Sequence, residues 1–196
     1  MGIRTVDGEL EEDRRSAIHA ATLAFVRDPF MRWLYPSPDE YLRHFPEFTR
    51  AFAGPAFEAD TAWTTDNGGG AAFWFPPGVH PDGDAIESVM KASVDPARLQ
   101  TMGAVLGKME EAHPEEPHWY LAVIGVDAAH QGKGFGGQLM APALERCDAD
   151  GVIAYLESSN PANISLYERH GFRVLGEIRI DDAPVVTPML RPARPS

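Results

Sequence analysis

Apolar and polar positions alternate along this chain in blocks that read as a run of helices and strands. Ile3–Val6 predicts a short first strand, and Glu9–Arg27 a helix whose apolar residues Ile18, Ala21, Leu23 and Phe25 follow helical spacing only roughly. Asp28-Pro29 should end it, because the residue before proline avoids the helical region. Pro36-Ser37-Pro38-Asp39 reads as a turn opening a second helix through Phe52, stopped by Gly54-Pro55. Trp63–Thr65 and Ala71–Phe75 predict two strands around Asp66-Asn67-Gly68-Gly69-Gly70, since an Asn-Gly pair between apolar runs signals a hairpin.

A proline-rich loop, Pro76–Asp84, then leads to two helices, Ala85–Ser93 and Pro96–Ala112. Trp119–Val126 is almost continuously apolar, the pattern of a strand buried on both faces. Gly134–Ala149 predicts the next helix, kinked or disrupted at Pro142. Gly151–Glu157 reads as a strand, Pro161–His170 as a short helix capped by Gly171, and Phe172–Ile180 and Val185–Leu190 as the last strands. The tail Arg191–Ser196 is expected to fray. The sum is a single α/β domain over residues 1–196.

Composition narrows the setting. The chain carries 17 Lys and Arg against 29 Asp and Glu, a net charge of −12. A field of that sign repels nucleic acid and anionic membranes and suits a cationic substrate. The one cysteine, Cys147, cannot form an internal disulfide, which fits a reduced, cytoplasmic location. Neither a signal-peptide pattern nor a membrane-length apolar run is present, and no Cys/His grouping has zinc spacing.

The candidate chemistry starts at Ile124-Gly125-Val126, where the buried strand ends, and continues into Gln131-Gly132-Lys133-Gly134-Phe135-Gly136-Gly137. Glycines at a helix N-terminus let an anion approach unpaired backbone N–H groups and the positive end of the helix dipole. A phosphate-binding loop of the nucleotide type needs Ser or Thr after its Gly-Lys pair, and Gly134 stands there instead. A dinucleotide fingerprint needs different glycine spacing and a strand near the start of the sheet. The remaining pattern, Gln/Arg-x-x-Gly-x-Gly/Ala, is matched by Gln131, Gly134 and Gly136.

That loop resembles the acetyl-CoA-binding motif of the GNAT superfamily of N-acetyltransferases. A second segment, Asn160-Pro161-Ala162-Asn163-Ile164-Ser165-Leu166-Tyr167-Glu168-Arg169-His170-Gly171-Phe172, resembles the family's Asn…Tyr-Glu-x-x-Gly-Phe stretch. Within the superfamily, Glu116–Leu121, Leu156–Ser159 and Leu166–Arg169 look like the puromycin N-acetyltransferase branch. The resemblance implies a mixed, mostly antiparallel sheet of about six to seven strands flanked by helices, with an acetyl-CoA-binding core at about residues 118–180. It also implies release of CoA as product, and a monomer or homodimer acting on a small-molecule amine. A protein or peptide N-terminal acetyltransferase, or a CoA-binding sensor without chemistry, are the alternatives.

Asn160, Asn163 and Tyr167 fall on one helix face, where two amides and a phenol can meet the amide-rich arm of CoA. Asn160 before Pro161 is equally a helix cap. In the family, the tyrosine matching Tyr167 donates a proton to the leaving thiolate; packing in an amphipathic helix is the other reading. Glu157 is either the base for the amine or a solvated strand-end carboxylate, and His118 is a second base candidate or a histidine satisfied by nearby backbone. The thioester carbonyl needs a donor, expected from backbone N–H near Ile124, where the strand splays from its neighbour. Lys133 adds charge near a phosphate or is simply solvated. Trp33 and Tyr35, expected in a loop, could line an acceptor pocket.

Overall fold

The nine-residue apolar strand β4 (His118–Val126) lies at the centre of a seven-stranded sheet. The computed structural model describes residues 2–194. The sheet order is β1-β2-β3-β4-β5-β7-β6, with β1 Ile3–Thr5, β2 Ala62–Thr65, β3 Gly70–Phe75, β5 Ile153–Ser158, β6 Arg173–Val174 and β7 Thr187–Arg191. Only β4 and β5 run parallel; every other neighbouring pair is antiparallel. This is the mixed α/β architecture expected from the sequence.

The helices are α1 (Glu11–Phe25), α2 (Pro29–Leu34), α3 (Pro38–Ala53), α4 (Pro55–Glu58), α5 (Gly83–Ser93), α6 (Pro96–Ala112), α7 (Phe135–Asp150) and α8 (Ile164–Arg169). One sheet face packs Trp74, Trp119, Leu121 and Leu156 against Leu139, Met140 and Leu144 of α7. The other packs Phe73, Phe75, Tyr120 and Tyr155 against Ala17, Ile18 and Ala21 of α1. A third cluster, built by α2, α3, α5 and α6, lies beyond it. Glu11, Glu12 and Asp13 in the first turn of α1 meet the positive end of its dipole.

Four expectations need correction. The region of Trp33 and Tyr35 is helix α2 with its C-cap, not a loop, because Asp28 both ends α1 and caps α2 by accepting from the N–H groups of Phe30 (3.0 Å) and Met31 (3.1 Å). The long strand expected over 172–180 is reduced to Arg173–Val174 and one bridge, Ile178 to Val186. Its partner β7 is five residues long, and Pro188 within it has no N–H to donate. Helix α7 continues through Pro142, since its buried Leu139, Met140, Ala143 and Cys147 hold it to the sheet on both sides of the proline.

Arg191, expected in a frayed tail, is instead the last residue of β7 and is only 2% exposed. Its guanidinium donates to both carboxylate oxygens of Asp148 (2.6 and 2.8 Å) and to the His170 carbonyl (3.1 Å), tying β7 to the ends of α7 and α8. The rest of that tail beyond Arg194 lies outside the described residues.

The Arg191 guanidinium lowers the Asp148 carboxyl below its ordinary value. A lowered carboxyl stabilises the fold above its unfolded value and loses that contribution as the pH falls through the folded one. Arg191→Ala should therefore cost about 2 kcal/mol at neutral pH, less than a fully buried pair because Asp148 is partly exposed. Thermal unfolding should show Tm lowered by several degrees, with the gap to wild type closing below about pH 4.

Candidate active site

β4 and β5 pair from His118↔Ile153 to Leu121↔Leu156 and no further. Beyond that point β4 pairs only with β3, and Glu157 and Ser158 of β5 pair only with β7. The separation begins where β4 carries an extra residue: Trp74 faces Leu121 but Phe73 faces Val123, leaving Ala122 as a bulge. A bulge bends and twists its strand, turning β4 away from β5. The splay expected near Ile124 is present.

Two cavities open at this gap. The first, of about 580 Å³, lies between the end of α1, the rim Ile124-Gly125-Val126, the start of α7 and α8. Gln131, Gly132, Gly134, Gly136, Gly137, Asn160, Asn163 and Tyr167 all line it. Gly132 (φ 76°) and Gly134 (φ 81°) are left-handed, a conformation that side chains other than glycine adopt at a cost. No side chain caps α7, so its first N–H groups are left for a ligand. Gly136 and Gly137 also meet α8. A Cβ on either would press on Leu166 (3.0 Å) or on His170 (3.1 Å), so they admit α8 against α7.

Gln131 closes the loop, its Nε2 donating to the Val126 carbonyl at 3.0 Å. Lys133 does not line the cleft; its Nζ donates to the Ala129 carbonyl at 3.0 Å. The arginines that line it are Arg27 and Arg169, with His130 and Asp28 also on its wall. Asn160 caps the turn Pro161–Asn163 through Oδ1 and Ala162 N–H (3.0 Å).

The second cavity, of about 770 Å³, sits on the other side of the gap, inside the third core cluster. Phenylalanine, methionine and leucine side chains from α2, α3, α5 and α6 supply much of its apolar wall. Phe25, Ile124, Asn163 and Tyr167 belong to both cavities, so these residues form the wall between them. Trp33 and Tyr35 line neither. Trp33 Nε1 donates to Asp182 (3.1 Å), and Tyr35, 1% exposed, shares a hydrogen bond with Ser93 (2.8 Å).

Tyr167 is 5% exposed and packs edge-on against Phe172. Burial, and secondarily the Asp28 carboxylate, raise its phenol well above the ordinary tyrosine value. Glu157 enters the second cavity with a side chain 2% exposed and neither carboxylate oxygen hydrogen-bonded. His113 Nδ1 stands 3.4 Å from Oε1, outside hydrogen-bond alignment, and is stacked edge-on against Tyr120 and Tyr155. His118 donates to or accepts from no catalytic group; its Nδ1 meets the Glu116 carbonyl at 2.7 Å, and burial lowers its pKa.

Two functional neighbours are illegible in the sequence. His113 looks like part of a proline-rich connector, and only the fold brings it to Glu157, 44 positions further along the chain. Asp28 reads as a helix stop, yet its Oδ2 accepts from Ser159 Oγ at 2.8 Å, joining the first half of the chain to the end of β5. Burial raises its carboxyl above the usual range, against three hydrogen bonds that lower it.

With this geometry in view, the comparisons agree on the class. The profile of the acetyltransferase (GNAT) family matches residues 38–172, and the chain belongs to that family. An uncharacterized N-acetyltransferase of Schizosaccharomyces pombe is 41% identical over 58 residues, 30% of this chain and 24% of that protein. A mycothiol acetyltransferase of Streptosporangium roseum is 43% identical over 63 residues, 31% of this chain and 19% of that protein. The match thus spans less than a quarter of these relatives' length. Among solved structures, a Corynebacterium glutamicum protein described as histone acetyltransferase HPA2 and related acetyltransferase superposes with a TM-score of 0.66 at 23% identity, over 100% of this chain and 97% of that one. Arylalkylamine N-acetyltransferase 2 of Aedes aegypti gives 0.65 at 10% identity, over 98% of both chains. These two share the fold.

Asp28→Ala removes the cap of α2, about 1 kcal/mol, and leaves the Ser159 hydroxyl unpaired, about 1 kcal/mol more. Urea unfolding should report a combined loss of about 2 kcal/mol. Asp28→Asn, which still accepts at the cap, should lose much less.

Proposed function

We propose that this chain moves an acetyl group from acetyl-CoA to the primary amine of a small molecule by direct attack. The observation that carries the reading is the wall shared by the two cavities, at which Tyr167 touches both. On one side lies an anion-suited cleft. The uncapped start of α7, the left-handed Gly132 and Gly134, and Arg27 and Arg169 would take the phosphates of CoA. The rim Ile124–Val126 and the amides of Asn160 and Asn163 would take its amide-rich arm. Lys133 would act on the loop's shape and not on a phosphate. Family members use acetyl-CoA as co-substrate, and the donor set fits that molecule.

On the other side the amine would enter beside Glu157. Nitrogen attacks the thioester carbonyl, a C–N bond forms and the C–S bond breaks. The proton lost by nitrogen passes to Glu157, with His113, 30% exposed, offering a way out to solvent. The departing sulfur takes a proton from the Tyr167 phenol, which burial keeps protonated until that moment. Amine and thioester become amide and thiol; Glu157 releases its proton to solvent past His113, Tyr167 takes one back from solvent, and an amine that binds as its ammonium first gives up one further proton by the same route. The cavity's apolar walls around the buried Glu157 favour a small apolar amine over a polar peptide N-terminus.

Tyr167→Phe keeps the ring on Phe172 and removes only the hydroxyl. A thiol-release assay should show kcat falling by about 10²-fold or more, with the KM for acetyl-CoA little changed. Wild-type turnover would remove Tyr167 from the acid's role. Since its phenol is raised, the wild-type rate should show no alkaline loss from this group below about pH 10. Gly134→Val forces a β-branched residue into left-handed backbone and fills the anion's approach. Calorimetry should show CoA binding weakened by about tenfold or more; unchanged affinity would place the cofactor elsewhere.

A further inference from the structure

We propose that the acceptor is an amine with a bulky apolar body, a long alkyl chain or an aromatic group, bearing a single positive charge. Its nitrogen would sit at Glu157 and its body would lie along α6 beside Gly103 and Gly107. The chemistry of this proposal rests on the acetyl-transfer reading, but the binding it describes does not.

Three independent features converge. The cavity wall is apolar and pliable, with Phe30, Phe45, Phe48, Met31, Met90 and Met102 all buried around it. Thioether side chains reshape easily around varied ligands. Such a wall rewards each methylene it removes from water and offers nothing to a second charge.

Next, Glu157 brings one carboxylate to this cavity with both oxygens buried, the Tyr120 and Tyr155 phenols beside it and His113 Nδ1 at 3.4 Å, but with no aligned hydrogen bond. A buried carboxylate short of hydrogen bonds is costly, and a ligand cation would relieve that cost. The other ionisable side chains lining the cavity are at its exposed edge: Glu87 and Lys91 bind each other at 2.5 Å, and Glu110 is exposed at the end of α6. So the cavity offers a cation one buried carboxylate, and the charges at its edge are largely paired with each other.

Finally, α6 carries Gly103 and Gly107 in its interior, both lining the cavity. Glycine is a poor residue for a helix interior. No packing demands it here, because a Cβ at either position would meet nothing within 4 Å. Both glycines are exposed at the cavity's open edge, and their missing side chains leave room there, next to an apolar wall, along which the ligand's body would lie. A polyamine or a free amino acid would strand a second charge there.

The test is calorimetric titration of the cofactor-free protein with n-alkylamines from butyl to octyl, with the matching alcohols and the terminal diamine of octane as controls. Affinity should rise about fourfold per methylene, octylamine should exceed both octanol and the diamine, and Glu157→Gln should abolish the preference over octanol. Gly107→Leu, which improves helix propensity, should weaken octylamine by about tenfold or more and leave butylamine unchanged. Gly103→Leu serves if that variant unfolds on heating at a lower Tm than wild type. A flat series, or a diamine bound as tightly as octylamine, overturns the proposal. Parallel titration with acetyl-CoA separates the two claims. Amine binding as described without acetyl-CoA binding would retain this inference and defeat the acetyl-transfer reading. Acetyl-CoA binding with a flat amine series would do the reverse.

Discussion

Everything functional in this molecule depends on one broken row of hydrogen bonds. The parallel pair β4–β5 holds through Leu121 and Leu156 and then parts. A sheet that stayed paired would bring the Ile124 backbone against β5 and leave no space at its centre. The bulge at Ala122 turns β4 aside at the level where pairing stops. The two cavities meet in the opening, and Tyr167 and Asn163 fill the boundary between them. The gap is kept open by elements on both sides: α1 presses on β3 and β4, while β7, clamped by Arg191 to Asp148, holds the far edge.

The two cavities divide the electrostatics of an acidic protein. The first concentrates backbone N–H groups and guanidinium ions, and the second presents one carboxylate in an apolar shell. Opposite charges are thus directed to opposite sides of the same aromatic residue. Burial raises the Tyr167 phenol above its ordinary value, so it stays protonated across the neutral range.

The glycine-lined cleft was legible in the sequence because its signals are local. The glycine spacing at 132–137, the apolar run of β4 and the stripe Asn160–Asn163–Tyr167 each report structure within a few residues. Their placement around one cleft follows the expectation. The acceptor half was not legible, because it is assembled from four helices that are far apart in sequence. Trp33 and Tyr35 drew attention as aromatics in a supposed loop, but Asp28 nucleates a helix there and both rings are committed to structural contacts. The signals that could have found the cavity are weak on their own: phenylalanines at 45, 48 and 52 on one helix, methionines at 90, 102 and 109, and the paired glycines of α6. Glu157 was visible as a candidate, whereas His113 and the Asp28–Ser159 link required the fold.

The tight approach of α1 to β4 also bears on how such a protein can change over generations. A Cβ on Gly125 would stand 2.4 Å from the Cβ of Ala24, so the end of α1 is fixed at the lip of the opening. The next residue, Phe25, faces both cavities. A mutation that tilts α1 to suit a new acceptor would disturb the phosphate cleft with it. Helices α5 and α6 carry no such double duty: α5 packs on α3 and α6 on α5, away from the shared wall. Diversification can proceed there by exchanging side chains facing the hollow, while the glycine at 125 anchors an inherited half that tolerates little experiment.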